Sequence, residues 1–394
     1  MGLLVAFAVL AGVEGVLRLI YGPPPNTRFL RPQWMGDGPL FTIQGSQAST
    51  NYQGIDSIGA FPLEPSPGVP RMLGFGESSM RGGSGLPPAR EFPNLIASML
   101  TAQGTPLEAV NLGRSGFDTN LLPRVVYEAL VFKPTLALFY FGHNDIANAT
   151  IEQRYGDLGG ALEARATVLL ERTQIFTQLQ QRLAPRAPRR PLTMDEIVGM
   201  TQAQVTATVA NFKRNLSTAV ALCQSAGVEP ILITPGSPID RWFASTPVCP
   251  DALPGGAWTP FRAGYTLRLD RISPSDVERA HQLAPTCPEV EYLWGLLTLQ
   301  RGDRDQGWAL LAAARDDDPV PMRANSQIVE AVREVAAERD AGLVDFEASL
   351  RTQNTEEGLF SDNVHLTPPT HEMLARLALP VVAERLQRAA KNRE

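Results

Sequence analysis

"VPRMLGFGESSM", residues 69–80, puts a short apolar run directly ahead of a turn that holds two glycines, an acid and two serines. A buried strand that ends in glycine and starts a helix at once gives this pattern, because glycine tolerates the tight backbone the turn needs. Such a turn presents the first serine at the edge of a sheet. Alone the stretch is weak, since glycine-rich loops also join ordinary elements.

Working outward, short apolar runs recur at Ala109–Asn111, Leu136–Phe141, Ile231–Thr234 and Leu343–Phe346. Longer helix-like stretches, such as Phe92–Gln103, Gln202–Ser225 and Asn325–Arg339, separate them. This alternation predicts an α/β protein, a three-layer α/β/α sandwich of the flavodoxin-like kind with about five parallel strands and a helical insertion between the fourth and fifth. In such sheets ligands bind beyond the carboxyl ends of the strands, so the residues just after each strand are the candidates for chemistry.

Gly76-Glu77-Ser78-Ser79 follows the first strand, "NLGRSGFDT" (111–119) the second and "FGHNDI" (141–146) the third. Near the C-terminus "FSDNVHLTPPTHEMLA" (360–375) places Asp362 three residues before His365, ahead of a helix opened by Pro368 and Pro369. An Asp and a His so spaced let the carboxylate hold one ring nitrogen while the other faces a hydroxyl. His143 has no acid at the orienting spacing and is expected to shape the pocket. Asn111 and Asp118 read as turn formers and Asp145 as a helix N-cap. His371 falls inside the C-terminal helix and His281 inside the insertion.

Four blocks in this order resemble the SGNH hydrolase superfamily, the GDSL esterases, over roughly residues 70–150 and 325–388. The resemblance implies Ser78 as nucleophile, His365 as general base and then acid, and Asp362 as its orienting partner. It implies an oxyanion hole made by the backbone N–H of Ser78, the backbone N–H of Gly116 and the side-chain amide of Asn144. Glu77 departs from the pattern, standing where the family usually has Asp. Gly-Glu-Ser, Gly-His-Asn and a tetratricopeptide-like insertion together resemble a branch found in bacterial membrane-anchored proteins. The implied activity is hydrolysis of an O-acyl or O-acetyl ester on a carbohydrate or lipid through an acyl-enzyme, with no metal and no cofactor. Two alternatives stay open: an O-acyltransferase with the same triad, and an inactive scaffold that binds a protein partner.

The remaining sequence divides into an N-terminal anchor (1–22), an irregular linker (23–69), the hydrolase domain (70–272 and 323–394) and the helical insertion (273–322). In that insertion the spacing of Leu296, Gly302, Ala309 and Pro319 resembles a tetratricopeptide helix pair, which must bury its apolar face on the body or on a protein partner. An amphipathic stretch and a Pro/Arg-rich linker at about 150–200 read as a lid or a surface helix at the membrane, or as a helix packed on the domain.

The opening "MGLLVAFAVLAGVEGVLRLIYGPPP" is apolar except for Glu14 and Arg18, which can pair across one helical turn. It predicts an uncleaved single-helix membrane anchor with the catalytic body in the periplasm; a helix packed on the domain is the alternative. The net charge is −6, and basic residues are scattered apart from "RAPRRP" (186–191), which excludes nucleic acid as a partner. Of the three cysteines, none has CxxC spacing, so no zinc site is expected. A Cys249–Cys287 disulfide is expected if the body lies outside the cytoplasm.

Overall fold

The computed structural model describes residues 2–21, 40–50, 58–82, 86–152, 173–175, 178, 199–239, 242–244, 249–253, 258–261, 264–267, 269–353 and 358–392. Five parallel strands form the central sheet: β1 (Arg71–Gly76), β2 (Glu108–Asn111), β3 (Leu136–Tyr140), β4 (Glu229–Ile233) and β5 (Gly342–Val344). Their spatial order is β5-β4-β3-β1-β2. Register pairs Gly74 with Asn111, Gly76 with Tyr140, and Ile233 with both Tyr140 and Val344.

All residues of β1, β3 and β4 are buried, as a parallel sheet covered on both faces requires. Successive side chains point to opposite faces, and the two cores follow that alternation. Leu73, Phe75, Ala137, Phe139 and Leu232 face helices α4 (Leu122–Ala129), α6 (Gln202–Ser225) and α10 (Ser326–Glu338). Met72, Leu138, Tyr140, Ile231 and Val344 face α3 (Phe92–Ala102) and the last helix, α12 (Pro368–Lys391). Each fully buried side chain of this kind contributes about 1.5–3 kcal/mol. The expected three layers are therefore present, with strand ends within a residue or two of the apolar runs.

Short helices follow β1 and β3 directly: α2 (Ser78–Arg81) and α5 (His143–Glu152). Helix α6 starts at a capping box in which Thr201 and Gln204 satisfy each other's backbone N–H. Between β4 and α10 the described residues form a three-stranded antiparallel sheet (Trp242–Ala244, Trp258–Phe261, Gly264–Leu267) and three α-helices, α7 (Pro274–Leu283), α8 (Pro288–Gln300) and α9 (Arg304–Asp316). Their core is Val277, Val290, Leu293, Leu297 and Leu311. A Cβ on Gly307 would come within 2.6 Å of Leu299, so only glycine lets α9 lie this close to α8. Cys249 and Cys287 are joined as a disulfide at this cluster's edge. Helix α11 (Phe346–Arg351) follows β5.

Two expectations change. Part of the segment read as irregular linker forms a second antiparallel sheet (Phe41–Gln44, Gln47–Thr50, Ala60–Pro62). Its Phe41 and Phe61 rings meet Phe132 edge-on at 4.9 and 5.0 Å, so it is packed onto the body rather than strung beside it.

The second change concerns the membrane. Helix α1 (Gly2–Tyr21) forms, but among the described residues no helix is long and apolar enough to cross a membrane. The single-helix anchor, and the membrane partner and periplasmic placement that rested on it, are therefore withdrawn. Glu14 and Arg18 interrupt the apolar run and pair at 2.6 Å. Glu14 also accepts the backbone N–H groups of Gln174 (2.9 Å) and Ile175 (3.0 Å), so this helix bonds to the same chain. Most of the 150–200 segment, with its amphipathic stretch and the "RAPRRP" run, lies outside the described residues.

Candidate active site

Strand β1 is flanked by β2 on one side and β3 on the other, so a crevice opens at their carboxyl ends where the chain direction of the winding reverses. Ser78 enters it as the first residue of α2, and Glu77 before it has extended backbone. Beyond β2 the ladder continues for a few residues, with the N–H of Leu112 bonded to the carbonyl of Gly74 and that of Arg114 to Gly76. The 111–119 loop is thus anchored beside the serine turn.

His365 bridges the site. Its Nε2 lies 2.8 Å from Ser78 Oγ and its Nδ1 lies 2.7 Å from Asp362 Oδ2. Asp362 Oδ1 accepts the backbone N–H groups of Val364 (3.0 Å) and His365 (2.8 Å), which locks the carboxylate in the turn that precedes α12. Burial opposes a charge on Asp362. The His365 ring and the two N–H donors outweigh it and hold the carboxyl well below the usual carboxylate range. An ionised Asp362 makes Nδ1 the protonated nitrogen, which leaves Nε2 as acceptor toward the serine hydroxyl.

Gly116 stands in the neighbouring loop and Asn144 in the first turn of α5, and neither hydrogen-bonds Ser78. Gly116 has φ +71 at the tip of the 111–119 loop. Its carbonyl accepts from Asn148 Nδ2 at 3.0 Å, and the same amide reaches Asp118 Oδ2 at 2.8 Å. Asn144 Nδ2 donates to the Phe117 carbonyl at 3.1 Å. One amide hydrogen on Asn144 Nδ2 is left for another acceptor. Asn144 and Asn148 are one turn apart on α5 and hold the same loop. Sequence reading missed Asn148, although its spacing from Asn144 was a signal.

Asp145 is not an N-cap. It lies in the first turn of α5, and its Oδ1 accepts both the N–H (3.0 Å) and the hydroxyl of Thr119. Burial and the nearby Asp118 carboxyl push it up to about 8. Asn111 is the turn former expected, accepting the Gly113 N–H at 2.9 Å, but its Nδ2 also donates to Glu91 at 2.8 Å. Glu91 in turn pairs with Arg81 at 3.0 Å, which ties the end of α2 to the end of β2.

His143 is buried, and its Nδ1 accepts the Ala324 N–H at 3.2 Å. Burial, followed by the nearby His365, Arg323 and Arg315, pushes it down to about 3, so the ring is neutral. Gly142 before it has φ +137, and a Cβ there would come within 2.5 Å of Ile328. His371 is buried and accepts the Phe92 N–H, and His281 stacks on Trp294 at 4.5 Å.

The sequence sets Glu77 apart, but not the groups it holds. Its Oε1 accepts the N–H groups of Gly142 and His143 (2.9 Å), and its Oε2 accepts that of Asn144 (2.9 Å). Burial and the Asp145 carboxyl push it well above the usual carboxylate range, against these three donors. Among the described residues one group brings metal-type ligand atoms within 4.8 Å of one another, Cys249, Cys287 and Glu289. Its two sulfurs are bonded to each other, and it belongs to the inserted segment.

No family model matches the chain, and no curated protein matches it. Solved structures similar to it include a lipase/acylhydrolase from Enterococcus faecalis, with 16% identity and a TM-score of 0.39, covering 80% of this chain and 97% of that one. An acetyl xylan esterase is similar at 13% identity and TM-score 0.38, covering 79% and 99%. A psychrotrophic esterase from Pseudoalteromonas sp. is similar at 11% and 0.38, covering 80% and 98%. At these identities and TM-scores the likenesses carry no inference about chemistry.

Proposed function

We propose that the protein is a serine ester hydrolase of the SGNH type, acting on an O-acyl or O-acetyl ester of a carbohydrate or lipid. The observation that carries this reading is the single imidazole of His365, bonded to Ser78 Oγ at 2.8 Å on one side and to Asp362 at 2.7 Å on the other. In this reading Ser78 Oγ attacks the acyl carbon while Nε2 takes its proton. The negative charge that develops on the carbonyl oxygen is met by the N–H groups of Ser78 and Gly116 and by the Asn144 amide. Collapse breaks the ester bond, and His365 returns the proton to the departing alcohol. Water, activated by the same ring, then cleaves the acyl-serine and regenerates the hydroxyl.

Replacing that water by a sugar hydroxyl gives an O-acyltransferase with no change in the residues. Nothing in the described geometry favours that acceptor, nor a protein partner for the tetratricopeptide-like segment at 273–322. The test is a screen of nitrophenyl esters from acetyl to palmitoyl, beside acetylated polysaccharide with and without an added sugar acceptor, together with fluorophosphonate labelling. Turnover and labelling at Ser78 are expected. A folded protein that neither labels nor cleaves any of these esters would overturn the reading.

A further inference from the structure

Glu77 is 1% exposed and neighbours Ser78, yet its carboxylate faces three backbone donors and not the reacting hydroxyl. Those donors are three consecutive N–H groups, of Gly142, His143 and Asn144, where β3 passes into α5. The Cα atoms of Glu77 and Ser78 are about 3.8 Å apart. A clamp on residue 144 from residue 77 therefore sets where the Asn144 side chain starts relative to the serine oxygen.

Building on the esterase reading, we infer that Glu77 is a positioning residue: its carboxylate fixes the Asn144 amide against the Ser78 turn. The geometry separates this from mere filling of space. Oε1 takes two donors and Oε2 takes the third, so both oxygens must be acceptors. An amide of the same shape offers one accepting oxygen and one donating NH2. Either way round, glutamine sets a donor against a backbone donor. With the oxygen on the Gly142 and His143 side, the conflict falls on Asn144. With the oxygen on the Asn144 side, it falls on the turn that carries Asn144. Both outcomes displace the proposed oxyanion donor while leaving Ser78, His365 and Asp362 chemically intact.

The test is a double-mutant cycle on the full chain with nitrophenyl acetate: wild type, Glu77→Gln, Asn144→Ala and the double variant, each with kcat, KM and a thermal unfolding curve. Glu77→Gln is expected to lower kcat about 10- to 100-fold, bounded by the loss on removing a donor outright, with KM changed less than about 3-fold. Once Asn144 is alanine, the same change should cost less than about 3-fold, because the group it positions is gone. A wild-type kcat in Glu77→Gln, or two losses that multiply in full, overturns the inference.

Should Glu77→Gln fail to give an unfolding transition, Glu77→Asp takes its place in the cycle. It keeps two accepting oxygens but withdraws them by one bond, about 1.5 Å, and the same non-additivity is expected. Failure of the esterase reading is visible separately, as a folded wild type without turnover, and the inference falls with it; failure of the inference alone is visible only in the variants.

Discussion

The carboxyl ends of β1, β2 and β3 and the three-helix insertion are built from opposite materials. At the strand ends buried and half-buried polar groups do the holding: Glu77 on residues 142–144, Asp145 on Thr119, Asn148 on Gly116, and Glu91 between Arg81 and Asn111. In the insertion the work falls to apolar packing, with Val277, Val290, Leu293, Leu297 and Leu311 buried together and the Cys249–Cys287 disulfide at the edge. Buried hydrogen bonds fix position to a few tenths of an ångström, but each unmatched group is costly. Apolar packing is more forgiving of exact position and contributes through area and volume. The first region is suited to aiming donors at a reacting oxygen. The second is suited to stability.

The sharpest break is at the nucleophile. Ser78→Ala should abolish both turnover and fluorophosphonate labelling with little change in thermal stability, since the hydroxyl has one bond, to His365. Residual labelling at the wild-type rate would place the nucleophile elsewhere. Asn144→Ala should lower kcat by about 10²–10³ while the protein folds normally. His143→Gln should leave the pH profile of activity unmoved, because His143 is already neutral above about 3. A profile displaced in His143→Gln would mean that the buried ring takes part in proton transfer.

The insertion should answer differently. Leu293 is fully buried, and Leu293→Ala should cost about 2–5 kcal/mol of stability with kcat on the folded enzyme within a few-fold of wild type. Reducing the disulfide, whose cysteines are 38 residues apart, should cost about 3–4 kcal/mol by loop entropy. Thermal unfolding with and without reductant measures the second, and kcat at a temperature where each variant is folded measures the first. A 100-fold fall in kcat in Leu293→Ala would erase the division of labour between the two regions.

The two regions were also legible to different degrees. The five strands could be read because β1, β3 and β4 are apolar on both faces, which leaves runs that need no partner to be seen. The small sheet at 41–62 escaped because its strands are three or four residues long and partly exposed. Ser78 could be picked out from its place after a strand, and Asp362 and His365 from their spacing; the structure brings these three side chains together, with Gly116 in a nearby loop and Asn144 in the first turn of α5. What Glu77 does was not legible. Its partners lie 65–67 residues away and are backbone N–H groups, which every residue but proline carries and no sequence pattern marks.

The finest distinction between the regions is the pH dependence of their stability. Glu91 is 1% exposed, and burial pushes its carboxyl up to about 7 despite the neighbouring Arg81 and Asn111. With a folded value above the ordinary 4.5, Glu91 favours the folded state fully below about pH 4.5 and loses that contribution as pH rises through about 7. Asp145, at about 8, acts with the same sign, whereas the buried rings of His143 and His371, pushed down by burial, act with the opposite sign below about 6.5, so Glu91 is isolated only by comparing a variant with wild type. Glu91→Gln removes one of these titrations. The pair with Arg81 gains its charge only as Glu91 ionises, so its loss belongs to the same titration, and the slope of the difference with pH is the quantity to read. The difference between variant and wild type should change by at most about 3–4 kcal/mol across the range, from the size of the Glu91 shift. Leu293→Ala, by contrast, should run parallel to wild type at every pH, because the change removes no titratable group. Parallel curves for Glu91→Gln would mean that Glu91 is ionised throughout, and the strand ends would then be held by a fixed ion pair with Arg81.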